Sequence, residues 1–410
     1  MEKSSALNNS LIFILITICI DSIGLGIIIP SFPTLIAETS HMSVNDSSYL
    51  SGWVVGIYAL MQFLFSPVVG GLSDRYGRRP VLLISILGMA LDYLLMYFAP
   101  DFAWIVIGRA LSGMFGASFT SAVAYIADIS SPETRAKNFG FIGAAFGIGF
   151  VLGPGIGGLL AGYGSRAPFL AAAALSMINF LYGLFVLKES LLPENRRNFE
   201  WKRANPLGAI RQIQKFGDIR FLFLVVFLYM MSNMSLHSLW SYYTMEKFCW
   251  EEKDIGFSLV CVGIFSGIVQ AGFAGKIVEK LGQRGAATLG LATMTLVTIG
   301  FGLIPHGWMM YALIIPYSLT GVTDPAIRSL VSIRTPKNAQ GELQGIFTSI
   351  SSVAQVIGPF VLMYVYTFSK QYFLTDTLRY GSAYFTSAVI ALFALIILRK
   401  TLKSKKQRNQ

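Results

Sequence analysis

Charge is scarce in this 410-residue chain: 13% of its residues are Asp, Glu, Lys or Arg, against 54% hydrophobic, and the mean hydropathy is +0.60. An ordinary soluble domain is excluded by that balance. Cysteine is scarcer still. Cys19, Cys249 and Cys261 are an odd number without metal-like spacing, two of them inside apolar runs, so neither a disulfide framework nor a metal site is implied. No Ser/His/Asp set or metal cluster is visible either, and an embedded enzyme is not expected. A signal peptide is likewise missing, because the first apolar run continues past residue 29 without a clear small-residue cleavage site; it reads as a retained first helix. Acidic residues are outnumbered 21 to 32, giving a formal charge of +11. The basic residues are spread over loops and a tail from Arg399 to Arg408, so they follow a bilayer and not a nucleic acid.

What the chain has instead is long apolar runs. A hydrocarbon core of roughly 30 Å needs about 20 apolar residues per helix, and twelve such runs can be drawn: 9–37, 49–73, 80–99, 102–127, 138–163, 167–188, 219–245, 255–281, 286–305, 308–333, 341–368 and 378–400. The longest break, 189–218, is polar enough for a cytoplasmic linker with a short amphipathic helix. It separates an N-terminal six-helix bundle, 1–188, from a C-terminal bundle and basic tail, 219–410. With both termini inside, one set of loops holds Arg75, Arg78, Arg79, Arg135, Lys137, Lys276, Lys280, Arg284, Arg334 and Lys337, and the opposite set only Arg166, Lys247, Lys253, Lys370 and Arg379. Short Lys/Arg-rich loops stay cytoplasmic.

The halves are related. Gly70, Asp74, Gly77 and Arg79 recur 205 positions later as Gly275, Glu279, Gly282 and Arg284. Gly153-Pro154 recurs as Gly358-Pro359, and Gly140 as Gly345, at the same displacement. Coincident offsets without a gap argue for duplicated six-helix halves, an all-α membrane protein built as parallel repeats.

Between the second and third runs lies GGLSDRYGRRPVLL, where Gly70, Gly71 and Gly77 permit close backbone approach and Asp74 ends a helix where an arginine of the turn, which carries Arg75, Arg78 and Arg79, can pair with it. The cluster reads as a latch, with a bare topology signal as the alternative. Gly153, Gly157 and neighbouring glycines leave one face of the fifth run bare for close helix contact, and Pro154 adds a kink.

Three polar side chains sit deep in the early runs. At 1.5 Å per residue Asp21 stands roughly 15 Å into the first helix and Asp92 roughly 18 Å into the third, with Gln62 level with them in the second. An ionisable group inside a membrane helix marks a transport pathway or proton relay by default, a structural hydrogen bond being the plain alternative. Arg109 lies about seven residues into the fourth helix, and Asp21 is its expected partner. In the second half His237 and Trp240 lie far along the seventh run, where either substrate contact or an interfacial aromatic belt explains them. Gln270 and Gln355 are cavity-wall candidates, and Asp324 and Arg328, one turn apart, read as a structural pair.

These residues carry a resemblance. DSIGLGIIIPSFP from Asp21, YALMQFLFSPVVGGLSDRYGRRPVLL from Tyr58, IGRALSGMFGAS, AYIADIS, RAKNFGFIGAAFGIGFVLGPGIGG from Arg135 and GELQG from Gly341 follow in order, and the chain resembles the tetracycline-type drug/proton antiporters of the major facilitator superfamily over nearly its whole length. The resemblance implies a two-lobed, twelve-helix transporter that exports a small organic molecule in exchange for protons, works as a monomer, and needs no cofactor beyond the proton gradient. It implies a role in proton coupling for Arg109 and a rocking interface on the fifth helix, and Asp21 falls in its acidic first-helix motif; Asp92 joins them as a proton-coupling candidate on the ground of its burial. Ser266 and Met294 stand where those exporters carry a histidine and an aspartate, and neither takes a proton. Export of a siderophore or another metabolite, proton-linked uptake, and a non-transporting receptor or scaffold with the same fold are the rival readings. A bacterial cytoplasmic membrane is the expected location.

Overall fold

A computed structural model of the chain describes residues 2–116, 119–199, 213, 217, 220–335 and 340–403. Among these, every regular element is a helix. Apolar runs with no water to satisfy their backbone have only internal hydrogen bonding available, and helices supply it.

The first half comprises α1 (Glu2–Ile27), α2 (Phe32–Ser40), α3 (Val44–Tyr76), α4 (Arg78–Tyr97), α5 (Phe102–Gly116), α6 (Phe119–Ile129), α7 (Pro132–Ala161) and α8 (Ala167–Val186). The second comprises α9 (Arg220–Phe248), α10 (Glu252–Ile268), a π-helical turn (Val269–Phe273), α11 (Ala274–Leu303), α12 (Trp308–Ser318), a 3-10 turn (Leu319–Val322), α13 (Thr323–Ser332), α14 (Gln340–Tyr372) and α15 (Asp376–Lys403).

Nine helical stretches among the described residues are long and apolar enough to cross a membrane, or ten if α1 and α2, bent by 54°, form one broken span. The remaining difference from twelve runs has two local causes. The 52-residue stretch from Glu252 to Leu303 is broken at Gly282, whose φ of 66° and ψ of 168° are not helical. The tenth run is cut by the 3-10 turn that follows Pro316, leaving α12 and α13 each too short alone. The first span breaks where Pro30 and Pro33 withhold backbone N–H groups.

The internal repeat is visible in the backbone. Gly77 has φ 106° and ψ 160°, and Gly282, 205 positions on, has nearly the same ψ. Both conformations belong to a region open essentially to glycine. The same turn thus joins α3 to α4 in the first half and divides α11 in the second.

By contacts the chain forms two compact units. One contains Met1–Ser47, Ile57–Pro206 and Glu251–Val260; the other contains Ser48–Gly56, Leu207–Trp250 and Cys261–Gln410. The N-terminal turns of α3 therefore group with the second unit, and the first turns of α10 with the first. In the first unit Phe13, Ile14, Leu82, Tyr125 and Ile126 form a core; in the second Phe223, Val226, Leu291, Phe347 and Leu398 do so. The expected amphipathic helix of the linker lies outside the described residues, apart from an extended stretch with a 3-10 turn at Pro193–Asn195.

Candidate functional site

In the first unit, α4 and α5 bring Asp92 and Arg109 together in a site with almost no solvent contact, 1% and 5% exposed. Arg109 Nη2 lies 3.5 Å from Asp92 Oδ2 and donates to Ser112 Oγ at 2.7 Å, while Ser112 donates to the same carboxylate oxygen. Gly108, one residue before Arg109, is small because Asp92 Oδ1 would lie 2.9 Å from any Cβ there. The guanidinium also sits 5.3 Å from the ring centre of Phe32 and 5.5 Å from that of Tyr58, a favourable stacking geometry for a desolvated cation.

The expected partnership of Arg109 with Asp21 is therefore corrected: the arginine pairs with Asp92 through Ser112. The reason is packing. α4 and α5 are adjacent along the chain and in space, and Ser112, one turn beyond Arg109, bridges the distance. Asp21 Oδ1 is buried with no hydrogen-bond partner among the described residues. Its helix is pressed against α7, where Gly149 meets Cys19 and Ser22, Gly153 meets Ile23 and Gly26, and Gly157 meets the Ile27 carbonyl. These three glycines at four-residue spacing form the bare face read from the sequence. On another side of α7, Pro154 and Gly158 receive Gly256 of α10.

Gln62 lies on α3, its Nε2 3.4 Å from both Tyr58 Oη and the Gly116 carbonyl. Tyr58, Ser112 and Tyr93, whose hydroxyl abuts Gly24, were not singled out in the sequence. Ser112 carried a usable signal, since it stands three residues after Arg109 on one helix face.

The loop between α3 and α4 is a network. Arg78 Nη1 is 2.6 Å from Asp74 Oδ1 and 3.2 Å from Ser73 Oγ, and its Nε is 3.1 Å from Asp128 Oδ2. Arg79 donates to the carbonyls of Leu187 and Leu184. Glu189 accepts the backbone N–H groups of Arg78 and Arg79 at 2.8 and 3.2 Å, a carboxylate on the positive end of α4. Gly77 makes room for it: a Cβ there would collide with the Glu189 carboxylate. Gly70, in contrast, has open space around it. Sequence reasoning missed Glu189 and Asp128, which lie about 110 and 50 positions away. In the second half no ion pair of Glu279 or Arg284 occurs among the described residues, so the repeat keeps the turn without the network.

In the second unit the candidates lie on α9, the π-helical turn and α14. Trp240 is 1% exposed, its ring edge-on to Phe301 at 5.3 Å; its assignment to a cavity wall is corrected to the core, because α9 is buried on nearly every face there. His237 is the exposed position on that stretch of α9. Asn233, one turn earlier, accepts from the Tyr317 hydroxyl at 2.8 Å. Gln270 sits in the π-helical turn against Gly321 of the 3-10 turn, and Gln355 is half-buried on α14. Arg328 pairs with Asp324 at 2.7 Å and stacks on Phe347 at 4.6 Å. Met294 is fully buried and Ser266 half-buried. Among the described residues no group of His, Cys, Asp and Glu is arranged to hold a metal ion.

The sequence model of the Major Facilitator Superfamily matches residues 14–359 and 222–410. The chain is 35% identical over 393 residues to the class C tetracycline resistance protein of Escherichia coli, covering 96% of this chain and 97% of that protein. It is 33% identical over 363 residues to the class B protein of the same organism, covering 88% and 90%. Among solved structures, the human organic anion transporter MFSD10 (TETRAN) superposes with a TM-score of 0.72 at 22% identity, covering 96% of this chain and 99% of that one. The nucleoside transporter NupG gives 0.75 at 12% identity, covering 97% and 99%.

Proposed function

The chain belongs to the Major Facilitator Superfamily, and from that premise we propose that it is a proton-coupled secondary transporter exporting a small organic molecule by alternating access. It is a multi-pass membrane protein; the proposal adds that both termini are cytoplasmic, that the cytoplasmic membrane is bacterial, and that the protein acts as a monomer. The proton gradient is its energy source, with no cofactor and no chemical conversion of the cargo.

The observation that carries this reading is Asp21, which has a buried carboxylate oxygen and no hydrogen-bond or ion-pair partner among the described residues, whereas Asp92, although its Oδ1 is also unbonded, has Oδ2 engaged by Arg109 and Ser112. A membrane-embedded acid left unpaired is free to take up and release a proton. Asp92, Arg109 and Ser112 hold the neighbouring charge fixed, so that a change at Asp21 is felt as a change of field beside the pathway. The Asp74–Arg78–Asp128 network secures the cytoplasmic turn, and the Gly149/Gly153/Gly157 face lets α1 and α7 slide without side-chain obstruction.

The cargo is a drug-like compound or metabolite. Met294 lies in the core and Ser266 is neutral, which favours a molecule other than a metal-chelated tetracycline. The test is proton release from reconstituted vesicles on addition of a compound panel beginning with tetracycline, wild type against Asp21→Asn. Exchange that survives the substitution unchanged overturns the coupling role.

A further inference from the structure

The N-terminal turns of α3 and the C-terminal ends of α9 and α14 enclose a second buried ion pair. Lys370 Nζ lies 3.0 Å from Glu246 Oε2 and 3.1 Å from Oε1, with side-chain exposures of 7% and 6%. Tyr366 donates to Glu246 at 3.1 Å, and its ring lies 4.9 Å beneath the ammonium. The third donor of Lys370 goes to Ser48 Oγ at 2.9 Å, and Ser48 Oγ is 3.5 Å from Thr367. Ser48 opens the Ser48–Gly56 segment, which belongs by sequence to the first half and by contact to the second unit. Below it Gly52 rests on Pro359, Phe360 and Met363, and Trp53 meets Phe360 edge-on at 5.0 Å.

The repeat supplies the comparison. Pro359 corresponds to Pro154, and in the first unit the Pro154 carbonyl receives Gly256 much as Pro359 receives Gly52. The positions equivalent to Glu246 and Lys370 are His41 and Ser165; among the described residues the first seam has there the half-exposed Glu38–Arg166 pair, with Ser165 donating to Glu38, and the second has the buried Glu246–Lys370 pair. Burying two charges is expensive and is offset only while the partners stay together.

We propose that Glu246 and Lys370, through Ser48, form an outer latch that holds the start of α3 against α9 and α14 in one state of the transport cycle. Both are positioning residues: they act through the seam and touch no cargo. When α3 parts from α14, Lys370 loses Ser48 and the pair gains water, so the latch biases the equilibrium between closed and open forms. This rests on the transporter reading above.

The test uses full-length protein in lipid nanodiscs, with Cys19, Cys249 and Cys261 replaced by serine and Ser51→Cys as the reporter, since Ser51 is 4% exposed behind the latch. A water-soluble maleimide is expected to react slowly with the reporter in the intact latch. In Lys370→Met or Glu246→Gln it should react at least about fivefold faster, because removing an interaction made in one state shifts the population toward the other. The double exchange Glu246→Lys/Lys370→Glu should return the rate toward the slow value. Unchanged rates in both single variants overturn the proposal. So does a rise that the exchange fails to reverse while the thermal midpoint is restored. The labelling needs neither cargo nor a proton gradient, so its failure and that of the transport reading are distinguishable.

Discussion

Arg109 lies against Asp92, 3.5 Å away and bridged by Ser112, and leaves Asp21 alone on the neighbouring helix. Two acids of the first unit are thereby given different circumstances: Asp92 has Oδ2 held by a fixed cation and a hydroxyl, with Oδ1 unbonded, and Asp21 has no hydrogen-bond partner among the described residues. Removing one member of a buried pair strands the other, which costs roughly 3–5 kcal/mol. Asp92→Ala is therefore expected to lower the melting temperature in detergent sharply, and Asp92→Asn/Arg109→Gln together to recover a substantial part. If the double variant melts no higher than Asp92→Ala, the pair is not the source of the loss.

Asp21→Asn should behave oppositely. Its buried oxygen has no bond to lose, so the substitution is expected to change stability by less than about 1 kcal/mol, in contrast to its expected effect on proton exchange. Differential scanning fluorimetry of the purified variant measures this. A large drop in midpoint would assign Asp21 a structural partnership.

Glycine positions divide into tight and open ones. Gly157→Ala drives a methyl into the Ile27 carbonyl and is expected to cost about 1–3 kcal/mol. Gly143→Ala, on the same helix with open space beyond it, should be neutral or gain about 0.5–1 kcal/mol through reduced backbone freedom in the unfolded chain. Equal midpoints for the two variants would contradict the packing of α1 on α7.

The turn between α3 and α4 makes a parallel distinction. Gly77→Ala is expected to cost about 1–3 kcal/mol through its backbone conformation alone and to displace Glu189 as well. Gly70→Ala, with nothing around it, should be tolerated. Transport assays on matched expression levels check both, and equal impairment would mean that Gly70 serves a contact made in another state.

Removing Glu189 uncaps α4. Glu189→Ala is expected to cost about 0.5–2 kcal/mol, the range for losing a side-chain acceptor at a helix start, and Glu189→Gln to retain part of it. Hydrogen exchange at the amides of Arg78 and Arg79 reads the effect directly; protection unchanged in Glu189→Ala would show that the carboxylate is not their acceptor.

Much of this protein was legible along one dimension. Run lengths and basic loops marked the spans, and a displacement of 205 positions exposed the repeat, even to the shared glycine turn at Gly77 and Gly282. The positions of Asp21, Asp92 and Gln62 along their helices followed from counting residues, because the rise of a helix is constant. The interruption of the tenth span and the π-helical turn at Val269–Phe273 were not foreseen, since Pro316 and a run of apolar residues permit both regular and irregular winding.

Depth along a helix axis is a local quantity, and the sequence by itself determined it, together with helical class, repeat and family. Direction around the axis and the choice of partner depend on which helices lie side by side, and only the tertiary structure decided those. It assigned Arg109 to Asp92, sent Trp240 into the core, brought Glu189 to the amides of Arg78 and Arg79, and joined Glu246 to Lys370 across more than a hundred positions. Charges in a low-dielectric interior must find each other wherever packing allows, and chain spacing carries no record of that distance.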